Sequence, residues 1–247
     1  MHESEFTFMR DYTKFIPDLI FHLKVDFSCS LFQDLNLQPS EDLLTSALED
    51  VTYLKEFVRN SAATAVGILL PHYTNLTEQI TKRLIELYAE NIENCKPKVD
   101  KFGRPTSEQL LNSWPARRGI ALTLSEIAPC LNTEELLSDA MEFLLKKPCA
   151  LKDEKAPVRN DMLQVGIRLV TLHGRKFVGL LLTKFEEFLA KAPKTAEYDV
   201  VRQNAVVIMG NLAKHLDAGH PKIRPTVHQL LAALSTPSEE VESRYMT

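Results

Sequence analysis

Glycine is scarce in this sequence, with 8 in 247 residues, and few segments alternate apolar with polar residues. Both shortages disfavour a sheet-rich fold and, beside abundant Leu, Ala, Glu and Lys, favour helix. Long apolar runs are missing too. The longest, such as Ala65 to Leu70 and Ala205 to Met209, fall far short of the roughly 18 residues a membrane span requires. Residues Met1 to Arg10 lack a basic segment followed by an apolar core, so they do not read as a secretory signal. A cytoplasmic location and no membrane partner are the expectation. The four cysteines, Cys29, Cys95, Cys130 and Cys149, lie too far apart for the short Cys-x2-Cys steps of a zinc knuckle or redox pair. They read as buried free thiols.

Catalytic signatures are absent as well. No Gly-x-Ser-x-Gly, His-Glu-x-x-His, phosphate loop or Gly-x-Gly-x-x-Gly occurs, which removes the common hydrolase, zincin and nucleotide classes. His215, His220 and His228 follow one another at steps of five and eight, not at the i, i+4 step that puts two metal ligands on one helix face. The adjacent pairs Glu134-Glu135 and Glu186-Glu187 point in different directions on a helix and read as solvated faces rather than an acid/base couple. Trp114, just before Pro115, reads as packing at a helix entry. A non-enzymatic chain with no cofactor, no metal site and no small-molecule substrate is expected.

What the sequence does hold is a repeat. Val58-Arg59, Ala116-Arg117, Val158-Arg159 and Val201-Arg202 each open an amphipathic segment. Three residues after each Arg stands Ala62, Ile120, Met162 or Ala205, and ten after it stands Leu69, Ile127, Leu169 or Leu212. These offsets fall on one face of a 3.6-residue helix. Small residues recur seven or eight positions after the Arg, at Gly67, Ser125, Gly166 and Gly210. Glycine inside a helix costs about 1 kcal/mol against alanine, so its recurrence signals crowding by a neighbouring helix. The Arg-to-Arg steps are 58, 42 and 43 residues, and the last two lie in the HEAT/armadillo range.

Partner helices are expected near Thr77 to Ile92, Thr133 to Lys147, Lys176 to Lys191 and Lys222 to Leu234, each forming a hairpin with the helix that follows. Pro115 and Pro157 suit first helical turns, while Pro148, Pro193 and Pro237 follow helix ends. His173-Gly174 has the form of a C-terminal cap, and Ser40 that of an N-cap. Asp153, five residues before Val158, fits the Asp-x4-Val-Arg pattern of HEAT repeats, in which Asp and Arg of stacked repeats form a ladder. Arg59, Arg117, Asp153, Arg159 and Arg202 are therefore read as structural. The predicted fold class is all-α, a right-handed α-solenoid of about four to five HEAT-type hairpins spanning 1–247.

The first step is longer than the others by a segment from Glu93 to Ser113, rich in Lys, Pro and polar residues. Loops beyond about 12–15 residues in a compact domain are usually functional or disordered. This one carries Lys96, Lys98, Lys101 and Arg104. Charge is unevenly spread around the net value of -4: residues 1–93 are acidic, 94–118 basic and 175–234 basic again, so one end can meet an anionic partner while the other avoids it. Arg175 and Lys176 belong to the second basic stretch. Three regions result: divergent acidic N-terminal repeats over 1–93, in which Phe6, Phe8, Phe15, Ile16 and Leu19 imply a buried helix; a basic inserted loop over 94–113; and regular repeats over 114–247, the last incomplete.

The strings Trp114-Pro-Ala-Arg-Arg-Gly-Ile-Ala-Leu, Phe185-Glu-Glu-Phe-Leu, Tyr198-Asp-Val-Val-Arg-Gln-Asn-Ala-Val-Val, Gly210-Asn-Leu-Ala-Lys-His-Leu and Leu234-Ser-Thr-Pro-Ser resemble the general control non-derepressible 1 family over roughly residues 85–241. These are HEAT-repeat translational activators, similar in part to fungal elongation factor 3. The resemblance implies ribosome binding through ribosomal protein and RNA phosphate, in a pathway that senses stalled ribosomes and activates the starvation-responsive kinase of initiation factor 2. The ribosome-contacting residues expected here are Lys96, Lys98, Lys101, Arg104, Arg175 and Lys176. The family's chains are far longer, and their kinase-docking segment lies outside this stretch. After Ser238-Glu-Glu-Val, the polar Glu242-Ser-Arg-Tyr-Met-Thr replaces an apolar helix. The last helix is thus expected to lack its hairpin partner and to expose Ile223, Val227, Leu230, Leu231 and Leu234, as in a fragment or a self-associating end. The other functional reading is a HEAT adaptor for protein partners, of transport or phosphatase-scaffold type.

Overall fold

The computed structural model describes residues 39–93 and 113–235. Among these residues all regular structure is helical, and the chain divides into two compact units, residues 1–130 and 131–247. The fold class is all-α, with helical hairpins of the solenoid type.

In the first unit, α1 (Glu41–Asp50) begins where the Ser40 hydroxyl accepts from the Asp42 N–H at 3.2 Å. That cap and two acidic residues in the first turn suit the positive end of the helix dipole. Leu44, Ala47 and Val51 bury its inner face against α2 (Glu56–Leu69). α2 is alanine-rich, and Ala62, Ala63 and Ala65 are buried, as a helix covered by neighbours requires. It gives way to a 3-10 turn containing Pro71. Across that turn the Tyr73 hydroxyl donates to the Pro39 carbonyl. α3 (Thr77–Glu93) buries Ile80, Leu84 and Tyr88 at four-residue steps, the stripe of an amphipathic helix. α4 (Trp114–Ile127) starts with Pro115 in its first turn, where the missing N–H leaves no bond unmade. It packs on α2 and α3. Trp114 is half-buried at the helix entry.

In the second unit, α5 (Glu134–Leu145) is capped by Thr133, whose hydroxyl accepts from the Leu136 N–H at 3.3 Å. It packs against α6 (Ala156–Lys191), which also opens with a proline, Pro157. α6 bends at Phe177, where φ -118° and ψ 24° leave the helical region. Residues 156–176 and 178–191 thus form two arms of one element. α7 (Ala196–Leu212) lies along α6, and α8 (Ile223–Ser235) lies along α7.

All eight apolar positions tied to the recurring arginines are buried: Ala62, Ile120, Met162 and Ala205, and Leu69, Ile127, Leu169 and Leu212. A large apolar side chain contributes about 1.5–3 kcal/mol on full burial, so these positions form the backbone of each core. The crowding inferred from glycine also has visible causes. A Cβ at Gly67 would lie 2.7 Å from that of Glu126, and one at Gly166 would strike the end of Ile208.

The cap expected at His173-Gly174 is not a helix end, since α6 runs on through both residues. Gly174 instead takes the His215 ring against its backbone, so it is selected for close packing rather than for a left-handed turn. Of the last helix's expected exposed face, Val227 and Leu231 are exposed at 45% and 56% and Ile223 is half-buried. Cys149 is buried and free, and burial pushes its thiol up to about 11; Cys130 is half-buried. Cys29, Cys95, the N-terminal phenylalanines and Glu242 lie outside the described residues.

Candidate binding surfaces

The recurring arginines turn inward to the main chain. Arg59 Nη1 donates to the carbonyls of Tyr53, at 2.7 Å, and Leu54, at 2.6 Å. Arg159 Nη1 donates to those of Asp153, at 2.7 Å, and Glu154, at 3.0 Å. The acceptors are the sixth and fifth residues before the arginine in both cases, so one geometry recurs in the two units. Asp153 Oδ1 also accepts from the Lys155 N–H at 2.9 Å. Arg202 bonds the Pro193 carbonyl and the Asp199 carboxylate. Burial lowers the Arg59 guanidinium from its ordinary value; Glu56 opposes this shift and Arg118 adds to it. Its Nε is buried with no acceptor. Leu54, beside the clamp, is 83% exposed.

Arg117 does related work between the end of α3 and the start of α4. Its Nη1 donates to the Asn91 carbonyl and reaches the Ser113 hydroxyl, both at 3.3 Å, and that hydroxyl also donates to Asn91. Asn91 near the end of α3 and Ser113 before α4 are thereby fastened together. Lys96, Lys98, Lys101 and Arg104 lie outside the described residues.

Arg175 and Lys176 are both exposed at the bend of α6. Lys176 Nζ donates to the Asn132 carbonyl at 3.2 Å and sits 4.6 Å from the centre of the Phe177 ring. The contact between Gly174 and His215 brings the end of α7 to this bend, and with it Lys214, whose Nζ donates to Asn211 Oδ1 at 2.8 Å. The sequence marks Lys214 only as part of the family string Gly210-Asn-Leu-Ala-Lys-His-Leu, not as a contact. Around Arg175 and Lys176 a signal is present: between Asp161 and Glu186 the chain holds Arg168, Arg175, Lys176 and Lys184 and no carboxylate.

Three other lysines of the second unit meet carboxylates. Lys152 bonds Glu197 at 2.6 Å, Lys222 bonds Glu186 at 2.6 Å, and Lys146 lies 3.9 Å from Glu142. The hydrogen bond from Lys152 holds the Glu197 carboxyl below its usual range. The first unit behaves alike: Lys82 pairs with Glu78 at 2.6 Å, and Arg83 with Glu90 at 2.8 Å and Glu86 at 3.5 Å. Glu78, Lys82, Arg83 and Glu86 border a groove of about 580 Å³ between α1 and α3, which Leu44, Leu48, Ile80 and Glu41 also line. Two kinds of surface result, a charge-paired acidic one and a bend where lysines are oriented by neutral groups.

A model of the family described as "Stalled ribosome sensor GCN1, HEAT repeats" matches residues 24–214. The chain is similar to the human "Stalled ribosome sensor GCN1", with 40% identity over 208 residues, 84% of this chain and 8% of the relative. It is 42% identical over 135 residues to "Protein ILITYHIA" of Arabidopsis thaliana, covering 54% of this chain and 5% of that one. With the "eIF-2-alpha kinase activator GCN1" of Saccharomyces cerevisiae it shares 28% identity over 198 residues, 78% of this chain and 7% of the relative. The chain spans less than a tenth of the length of these relatives. No solved structure matches it.

Proposed function

Because the chain belongs to the stalled ribosome sensor GCN1 family, by its HEAT repeats, we propose that it forms a stretch of a ribosome-associated scaffold acting in translational control. The observation that carries this reading is the family match across residues 24–214. The names of the human and yeast relatives, a stalled ribosome sensor and an eIF-2-alpha kinase activator, supply the process. The place of action is the cytoplasm, where translating ribosomes are. The kinase of initiation factor 2 is reached through other segments of the longer family members, and this stretch contributes rigid spacing and contact surface.

Two cationic places serve as contacts in this reading. One is the insertion, with Lys96, Lys98, Lys101 and Arg104, whose base Arg117 and Ser113 close at Asn91. The other is the α6 bend with Arg175 and Lys176. Arg59, Arg117, Asp153, Arg159 and Arg202 have a structural role in this reading, as in the turns that Arg59 and Arg159 hold ahead of their helices. A scaffold needs no reacting group, and its affinity comes from charge and shape spread over repeats.

The charge-paired acidic surface of the first unit, with its groove between α1 and α3, favours a second reading, an adaptor for protein partners. Affinity isolation of the chain with and without nuclease separates the two. The ribosome reading expects ribosomal components, and expects reversal of Lys96, Lys98, Lys101 and Arg104 to glutamate to reduce their recovery severalfold. Nuclease-resistant recovery of one non-ribosomal partner, unaffected by that reversal, would establish the adaptor reading instead.

A further inference from the structure

We infer that the outer edge of the α6 bend, formed by Arg175, Lys176 and Lys214, binds the phosphate backbone of RNA. The inference rests on the ribosome reading and deepens it by naming RNA, rather than ribosomal protein, as what this edge meets.

Three observations converge on it. The first is how the lysines are held. Lys176 is positioned by a carbonyl and a ring, and Lys214 by an amide oxygen, so neither contact cancels any charge. Arg175 is exposed on the same turn of helix. Lys146, Lys222 and Lys152 of this unit, by contrast, pair with Glu142, Glu186 and Glu197. Like charges gathered at one bend repel one another in the free chain, and a polyanion relieves that repulsion.

The second is composition. Arg168, Arg175, Lys176 and Lys184 stand between Asp161 and Glu186 with no carboxylate among them, so α6 brings no acidic side chain of its own to the bend. The third is accessibility. Leu172 is 47% exposed, and Gly179, four residues beyond Arg175, has open space where a Cβ would stand. Neither raises a bulky polar side chain that would hold a backbone away. The aromatic ring at the bend, Phe177, lies beside the Lys176 ammonium rather than offering an open face for bases. Recognition is therefore of phosphate and not of sequence.

The test uses the full chain with a fluorescein-labelled RNA duplex of about twenty base pairs, followed by anisotropy, and in parallel with purified ribosomes, followed by pelleting. Three neutralised phosphates would weaken duplex binding roughly 40-fold between about 50 and 200 mM salt. The double variant Arg175→Glu/Lys176→Glu is expected to lose at least tenfold in duplex affinity, to flatten the salt dependence and to pellet less with ribosomes. The control Lys146→Glu/Lys194→Glu changes net charge equally away from the bend and is expected to keep both. Thermal melting of each variant checks that the fold survives. Equal losses in variant and control overturn the inference, as does duplex binding indifferent to the bend. If ribosome pelleting falls with the bend variant while duplex binding does not, the edge meets ribosomal protein, and the RNA assignment fails while the ribosome reading stands. If the unmodified chain binds the duplex but does not pellet with ribosomes, the ribosome reading fails by itself.

Discussion

At the scale of single residues, the recurring arginine works as a clamp on main-chain carbonyls. A planar guanidinium reaches the two successive carbonyls of Tyr53 and Leu54, whereas a lysine ammonium is a point charge on a flexible stem. Arg59→Ala is therefore expected to cost about 2–3 kcal/mol, given that hydrogen bonds to charged groups each contribute roughly 1.5–3. Arg59→Lys should recover less than half of that, as read from the urea midpoint. The position of the arginines was legible in the sequence, because their helix faces carry a 3.6-residue period. Their acceptors were not, since a carbonyl is common to every residue and leaves no trace in side-chain identity. Asp50 yields a pH prediction. Burial, and secondarily Glu49, raises its carboxyl above the ordinary value, so the folded state holds that proton more tightly than the unfolded state, where the pKa is about 3.9. Such a group favours the fold below its unfolded pKa, and this contribution is lost as pH rises through the folded value. Asp50→Asn should accordingly raise the melting temperature at pH 7, with the gain vanishing below about pH 4.

Helix pairs are set by where a Cβ is missing. A Cβ on Gly119 would strike the Val51 carbonyl and lie 2.9 Å from Arg59 Cδ, so this glycine of α4 makes room for both the end of α1 and the stem of the clamp. Gly119→Ala is expected to destabilise by more than 2 kcal/mol, since backbone stands in the way and overpacking costs about 1–3 kcal/mol. Gly179→Ala should do the opposite. With open space around it inside a helix, the substitution is expected to stabilise by up to about 1 kcal/mol. Calorimetric melting of the two variants measures both signs. Gly67 and Gly166 were legible as crowded because they fall in the small-residue place seven or eight positions after the recurring arginine. Gly119 and Gly174 were not, because they fall outside it, and His173-Gly174 had the outward form of a cap. What distinguishes a cap from a contact is the residue that arrives from α7, His215, some forty positions further along the chain.

For the molecule as a whole, the repeat period, the all-α class and the family could be read from the sequence, since each rests on patterns that recur. Binding surface was only half legible. Basic residues can be counted, yet whether their charge is available depends on partners from other elements. Lys152 and Lys222 lose theirs to Glu197 and Glu186, while Lys176 and Lys214 keep theirs beside neutral groups. A scaffold of this kind binds through many modest electrostatic contacts, which fixes how it must respond to salt. The most direct measurement is co-sedimentation of the chain with purified ribosomes at about 50 and 200 mM salt. A pelleted fraction that is substantial at the lower salt and falls at least tenfold at the higher is the expected result. Absence of pelleting at both, or pelleting indifferent to salt, would contradict a ribosome contact made by these cationic surfaces.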